Sequence, residues 1–200
     1  MTTVAASFQG LTLMAIAMSA ACVPAPVWAQ NQPQAVAVTG EAARMCVLGQ
    51  VAQGQGGLSN FDAPSGSVFG ITALADPTTL TTQAASINLS MDAMCNGLHR
   101  VSVASDNNGL WRHGVASATS GFGSAVPYRA NLVWGGQQSA LFADATQRQL
   151  VQDQVLIGSP VVGAMLIEFS INAGATNAGV GSPLLAGEYS DVLRITVEPQ

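Results

Sequence analysis

Five segments of this chain alternate apolar and polar residues with the two-residue period of a strand that buries one face. In 86–95, Ile87, Leu89, Met91 and Cys95 share one parity. Segment 99–105 places Val101 and Val103 together, and the Asn96–Gly97 turn signal before it predicts a hairpin. Segment 125–134 alternates Val126, Tyr128, Ala130, Leu132 and Trp134. Segment 161–171 does the same with Val161, Met165, Ile167, Phe169 and Ile171. The last pattern, Leu193, Ile195 and Val197, runs almost to Gln200 and raises the question of what pairs with its edge. Between the strands lie loops rich in Gly, Ser, Asn and Pro: a Gly/Gln-rich stretch at 49–60, then 117–124 and 172–183. Only 140–154 has a helical look, and one or two turns are expected there. Short strands with such turns predict an all-β fold, a β-sandwich.

The beginning of the chain does not read as fold. Residues 11–23 form an apolar run of signal-peptide length, too short to cross a membrane. Pro24 and Pro26 follow as breakers, and Val27 and Ala29 place the cleavage between Ala29 and Gln30. Residues 1–29 are therefore expected to be a cleaved signal; no basic residue precedes Arg44, so either the start site is misassigned or the signal is atypical. Cys22 is a poor lipid acceptor because Ser19 stands where a Leu or Val is expected. Cleavage removes Cys22 and leaves Cys46 and Cys95. In an exported chain an even count reads as one disulfide, the alternative being two buried thiols. A bridge would close a loop of about 50 residues and contribute roughly 4 kcal/mol in the chain-entropy model.

Net charge changes the picture only by exclusion. At −5, with no Lys, the chain lacks the basic patches that nucleic acid or an anionic membrane requires. Between the cleavage site and Cys46, residues 31–45 begin polar and then place Val36, Val38, Gly40 and Ala42 on one parity. This is either a first strand of the domain or an arm with strand character.

Chemistry is sparse. His99 and His113 have no ligand-spaced partner and read as surface or loop histidines, so no metal is expected. Asp106 is of a type that could orient a catalytic histidine, but Asp106–Gly109 is ordinary loop chemistry. No nucleophile elbow, P-loop or dinucleotide fingerprint is present. Neither a cofactor nor an enzymatic activity is expected. Trp111, in a Gly-flanked loop, and Trp134 are candidates to touch a sugar or a partner.

The ending Gly187, Tyr189, Asp191 and a β-rich last strand resembles the closure of the spore coat protein U domain family, found in subunits of archaic (Csu-type) chaperone–usher pili. Pro127–Tyr128 resembles that family's mid-domain element, and the spacing of Cys46 and Cys95 is a third point of likeness. The resemblance covers roughly residues 35–200. It implies an immunoglobulin-like sandwich (43–200) that lacks one strand and is completed by a donor strand from another subunit. The groove would run beside the C-terminal strand, with Tyr189, Leu193, Ile195 and Val197. Residues 30–42 would be the donor arm, with Val36, Val38, Gly40 and Ala42 facing a neighbour's groove. The implied partners are a periplasmic chaperone, an outer-membrane usher and neighbouring subunits, with no membrane insertion after signal cleavage. The implied setting is the periplasm in transit and then a surface pilus serving adhesion and biofilm formation. The alternatives are a secreted coat or matrix protein of the same family and a secreted carbohydrate-binding β-sandwich using Trp111 and Trp134.

Overall fold

The computed structural model describes residues 37–62, 66–114 and 120–200. The chain divides after Gly40, and Glu41–Gln200 is one unit. The described residues are all-β, with antiparallel pairing throughout the strands. The strands are β1 (Cys46–Leu48), β2 (Ala52–Ser59), β3 (Ala85–Cys95), β4 (His99–Ser105), β5 (Leu110–Arg112), β6 (Ala125–Val126), β7 (Tyr128–Trp134), β8 (Gln137–Ala143), β9 (Val151–Ile157), β10 (Val161–Ile171), β11 (Tyr189–Ser190) and β12 (Leu193–Pro199).

One sheet runs β1-β3-β10-β7-β8, with β2 also paired to β3. A second runs β12-β4-β9, and a small third runs β11-β5-β6. The alternating residues of the first two sheets meet in a single core, which makes the arrangement a β-sandwich. Ile87, Leu89, Met91, Leu132, Met165 and Ile167 come from one side, and Val101, Val103 and Ile157 from the other. The parity read for each of the five segments is the parity that packs inward.

Three local expectations are corrected. Asn96–Gly97 does not close a hairpin: β3 pairs β1, β2 and β10, whereas β4 pairs β9 and β12, so the turn carries the chain from one sheet to the other. A two-residue type I′ turn needs positive φ at both positions, and neither residue has it. Asn96 instead spends its side chain on Ala43 and Met45. The two-residue hairpin lies at Gly135–Gly136, φ 57° and 73°, which joins β7 to β8. Residues 140–154 hold no helix. They contain the end of β8, a turn and the start of β9. Asp144 accepts the Thr146 backbone and hydroxyl donors, and this local bonding favours a turn over a helix. The Gly/Gln-rich stretch 49–60 is not only loop, since β2 pairs with β3 across a bulge between Gln53 and Leu58.

Cys46 and Cys95 stand opposite one another in the β1–β3 ladder and are joined as a disulfide. The bridge ties the start of the domain to the end of one of its two longest strands.

Candidate functional site: an unpaired edge beside the last strand

Strand β12 pairs with β4 from Leu193↔Ser105 to Pro199↔His99. Two bonds bracket this ladder: Asp106 N donates to the Val192 carbonyl at 3.0 Å, and Gln200 N donates to the Leu98 carbonyl at 2.9 Å. Antiparallel pairs alternate between bonded and non-bonded residues. The even-numbered residues 192 to 200 therefore use their backbone groups on β4. Those of Leu193, Ile195 and Val197 point the other way, to an edge that no described strand pairs. Pro199 shares this parity and has no N–H to leave unmet.

The side chains of the same three residues point toward the core and are only half-buried, whereas Val101 and Val103 beside them on β4 are fully buried. Arg194, Thr196 and Glu198 face solvent. An incoming strand would thus meet both the open backbone groups and the exposed flanks of three apolar side chains on alternate positions. Ala43–Met45 lie near the far end of this strand. Asn96 pins them, with Met45 N donating to its Oδ1 at 2.7 Å and its Nδ2 donating to the Ala43 carbonyl at 2.8 Å. Arg44 Nη1 also donates to the Gln200 carbonyl.

A polar knot fixes the near end of the strand. Asp191 accepts from Tyr128 OH at 2.7 Å, Ser105 Oγ at 2.5 Å, Asn107 N and Nδ2 at 3.0 Å each, and Val192 N at 2.8 Å. The mid-domain Tyr128 and the closing Asp191, far apart in sequence, are thus one hydrogen-bonded unit. Burial pushes the Tyr128 hydroxyl above its ordinary pKa, and Asp191 beside it adds to the shift. Next to the knot, Arg194 pairs with Asp106 through two bonds of 2.7 Å and holds that carboxyl below the ordinary carboxylate range. Asp106 therefore serves an ion pair and orients no histidine.

No family model, curated protein or solved structure matches this chain.

The remaining sites named from the sequence fall as follows. Val36 lies outside the described residues, as do the proposed signal and cleavage site. Val38 and Ala42 are exposed, and a side chain at Gly40 would meet open space. Ala37–Met45 carry no strand. Tyr189 lies on β11, half-buried, with its hydroxyl donating to the Leu185 carbonyl at 2.7 Å. His99 corrects its reading as a surface or loop residue. It is fully buried on β4 against Trp134, with Nδ1 2.8 Å from the Gly97 carbonyl, because its position has the inward parity of Val101 and Val103. Trp134 is also buried, with Nε1 donating to the Gly163 carbonyl, so it cannot offer a face to a sugar. Trp111 lies on β5, half-buried rather than in a loop. Sequence reasoning missed Ser105 and Asn107 as partners of Asp191, since both lie in runs that read as a strand end and an ordinary turn.

Proposed function

We propose that this chain is a non-enzymatic structural subunit of a surface pilus, assembled by the chaperone–usher pathway. Its sandwich would be completed by the N-terminal arm of a neighbouring copy. The observation that carries this reading is the outer edge of β12. Three consecutive odd-numbered residues offer both backbone groups to an edge that no described strand pairs, and half-exposed apolar side chains on one face. A strand added there would gain main-chain bonds for affinity and side-chain pockets for register. Left open, such an edge templates aggregation, which gives an escorting chaperone its reason. Residues 30–42 have the matching chemistry: alternating small or branched residues and no charge before Glu41. The disulfide supports an exported setting, because such bridges persist in oxidising compartments. A coat or matrix protein of the same domain type would use the same edge without an usher.

The test compares residues 43–200 alone with the same segment carrying a linker and a copy of residues 30–42 after Gln200. Six added backbone bonds at about 1 kcal/mol each raise the midpoint on the order of 20 °C. Coincident melts of the two versions would show a sandwich closed on its own and would end the donor-strand reading.

A further inference from the structure

A second feature adjoins the Asp191 knot at Asn107 but uses no residue of the β12 edge. A cleft of about 320 Å³ is lined by Asn107, His113, Gly114, Arg148 and Ser190. Among the described residues no apolar side chain lines it, which argues for a polar ligand.

The fixed part of the cleft is built on Trp111. Its indole Nε1 donates to the Asn107 carbonyl at 2.6 Å, and its strand is held between β6 and β11. The Arg148 guanidinium stacks over this ring, 5.3 Å from its centroid, and Nη2 donates to the Arg112 carbonyl. Stacking positions a side chain that would otherwise roam. The Arg112 guanidinium is held nearby by Nε donating to the Ala186 carbonyl at 2.6 Å. That contact also explains Gly187 (φ 151°), where a Cβ would fall 2.5 Å from Arg112 Nε. Also lining the cleft, His113 Nε2 and Ser190 Oγ are 2.5 Å apart.

Among the described residues, the one ion pair is Asp106–Arg194, so Arg148 has no carboxylate partner there. The chain carries eleven acidic residues against six arginines. An arginine left without a carboxylate beside a polar cleft in an acidic chain is suited to an external anion. A planar guanidinium matches a carboxylate fork to fork. The His113–Ser190 pair offers a donor and an acceptor to neighbouring hydroxyls. The volume lies at the small end of ligand sites, the size of a single sugar unit. We propose that this cleft binds an acidic saccharide, with a uronic-acid carboxylate on Arg148 and its ring hydroxyls on His113 and Ser190.

The test is titration of the full chain with trigalacturonate, neutral galactotriose and triglutamate, followed calorimetrically. Trigalacturonate binds and galactotriose does not. Arg148→Ala weakens binding about tenfold to a hundredfold, the loss of a charge-assisted bond pair. Arg148→Lys restores only part of it. Arg148 is exposed on a turn, so the variant keeps the parent melting curve. No heat with trigalacturonate, or equal affinity in the folded Arg148→Ala variant, overturns the site. Equal binding of triglutamate overturns the saccharide assignment. These outcomes are independent of the β12 edge.

Discussion

The sandwich has two flanks where its sheets come to an end, and they are finished differently. On one flank β8 faces β9. Asp153 has the inward parity of Val151 and Val155, and its Oδ2 accepts from Ser139 Oγ at 2.7 Å and from Ala140 N at 2.8 Å. One carboxylate thus stitches the two edge strands together. An inward-pointing charge is also a known defence of an exposed edge. On the other flank β12 faces the short β1. There the seal is confined to the ends: the Asp191 knot near Leu193, and Arg44 with the Asn96 clamp near Gln200. Between them, Leu193, Ile195 and Val197 have apolar flanks and unused backbone groups. The difference teaches that an open edge here is local and bounded, of a length that one short strand fills.

The strongest way to break the comparison uses proline, which removes one N–H. Thr196 has the parity that bonds to β4, and Ile195 has the parity that faces outward. Thr196→Pro should cost about 3 kcal/mol or more in residues 43–200 alone, because it cuts the β4–β12 ladder. Ile195→Pro should cost that domain clearly less, yet remove most of the stabilisation given by an appended arm. Equal damage from both in denaturant titrations would show that the outer edge is already in use.

Next in size is the sealed flank. Asp153→Ala deletes two bonds to a charged group and leaves the Ser139 hydroxyl buried without its partner. A loss of about 2–3 kcal/mol is expected. It should come with a new tendency to self-associate, since β8 and β9 would then resemble β12. Asp153→Asn should keep part of the stability. If Asp153→Ala melts with the parent and stays monomeric by light scattering, the stitching role is wrong.

A smaller effect sharpens the same contrast. Ile195→Ala truncates a half-buried side chain and should cost about 1–2 kcal/mol in the domain alone, below the range for a fully buried isoleucine. With the arm appended, the cost should grow by about 1 kcal/mol as the residue becomes covered. An unchanged cost would mean that the arm does not lie over Ile195.

How far the sequence revealed these flanks follows from what each depends on. Which face a strand buries is local, so the parity of Ile87, Leu132, Met165 and Ile195 could be read directly. Which strands pair is not local. The Asn96–Gly97 signal pointed to a hairpin, yet the chain crosses to the second sheet, because the ladder between β3 and β10 outweighs a two-residue turn. The helical look of 140–154 failed because Asp144 and Ala145, the latter at φ 58°, break the stretch into two strands. Asp153 had a visible signal, a charge on the apolar parity of its strand, although its Ser139 partner did not. Tyr128 and Asp191 were singled out as separate motifs, and only the folded chain shows them bonded. His99 was misread because a histidine on an apolar parity was weighed by its residue type rather than by its position.

The smallest effect concerns the knot that bounds the open edge. Tyr128 and Tyr189 are the chain's two tyrosines, and burial raises both above the ordinary value of 10.0. A raised value in the folded state means that folding favours the neutral hydroxyl. The stability linked to it is therefore complete below pH 10, where the unfolded tyrosine is also protonated. It falls as the pH rises above 10, where the unfolded chain releases a proton that the folded chain retains. Tyrosinate absorbance should stay low through pH 10 while circular dichroism remains that of the fold, then rise together with unfolding. Tyr128→Phe should lower the melting point at neutral pH, since Asp191 loses a donor, and should flatten the alkaline slope. Should tyrosinate appear with a midpoint near 10 in an intact Tyr189→Phe variant, the Tyr128 hydroxyl is not buried beside Asp191 and does not seal the near end of β12.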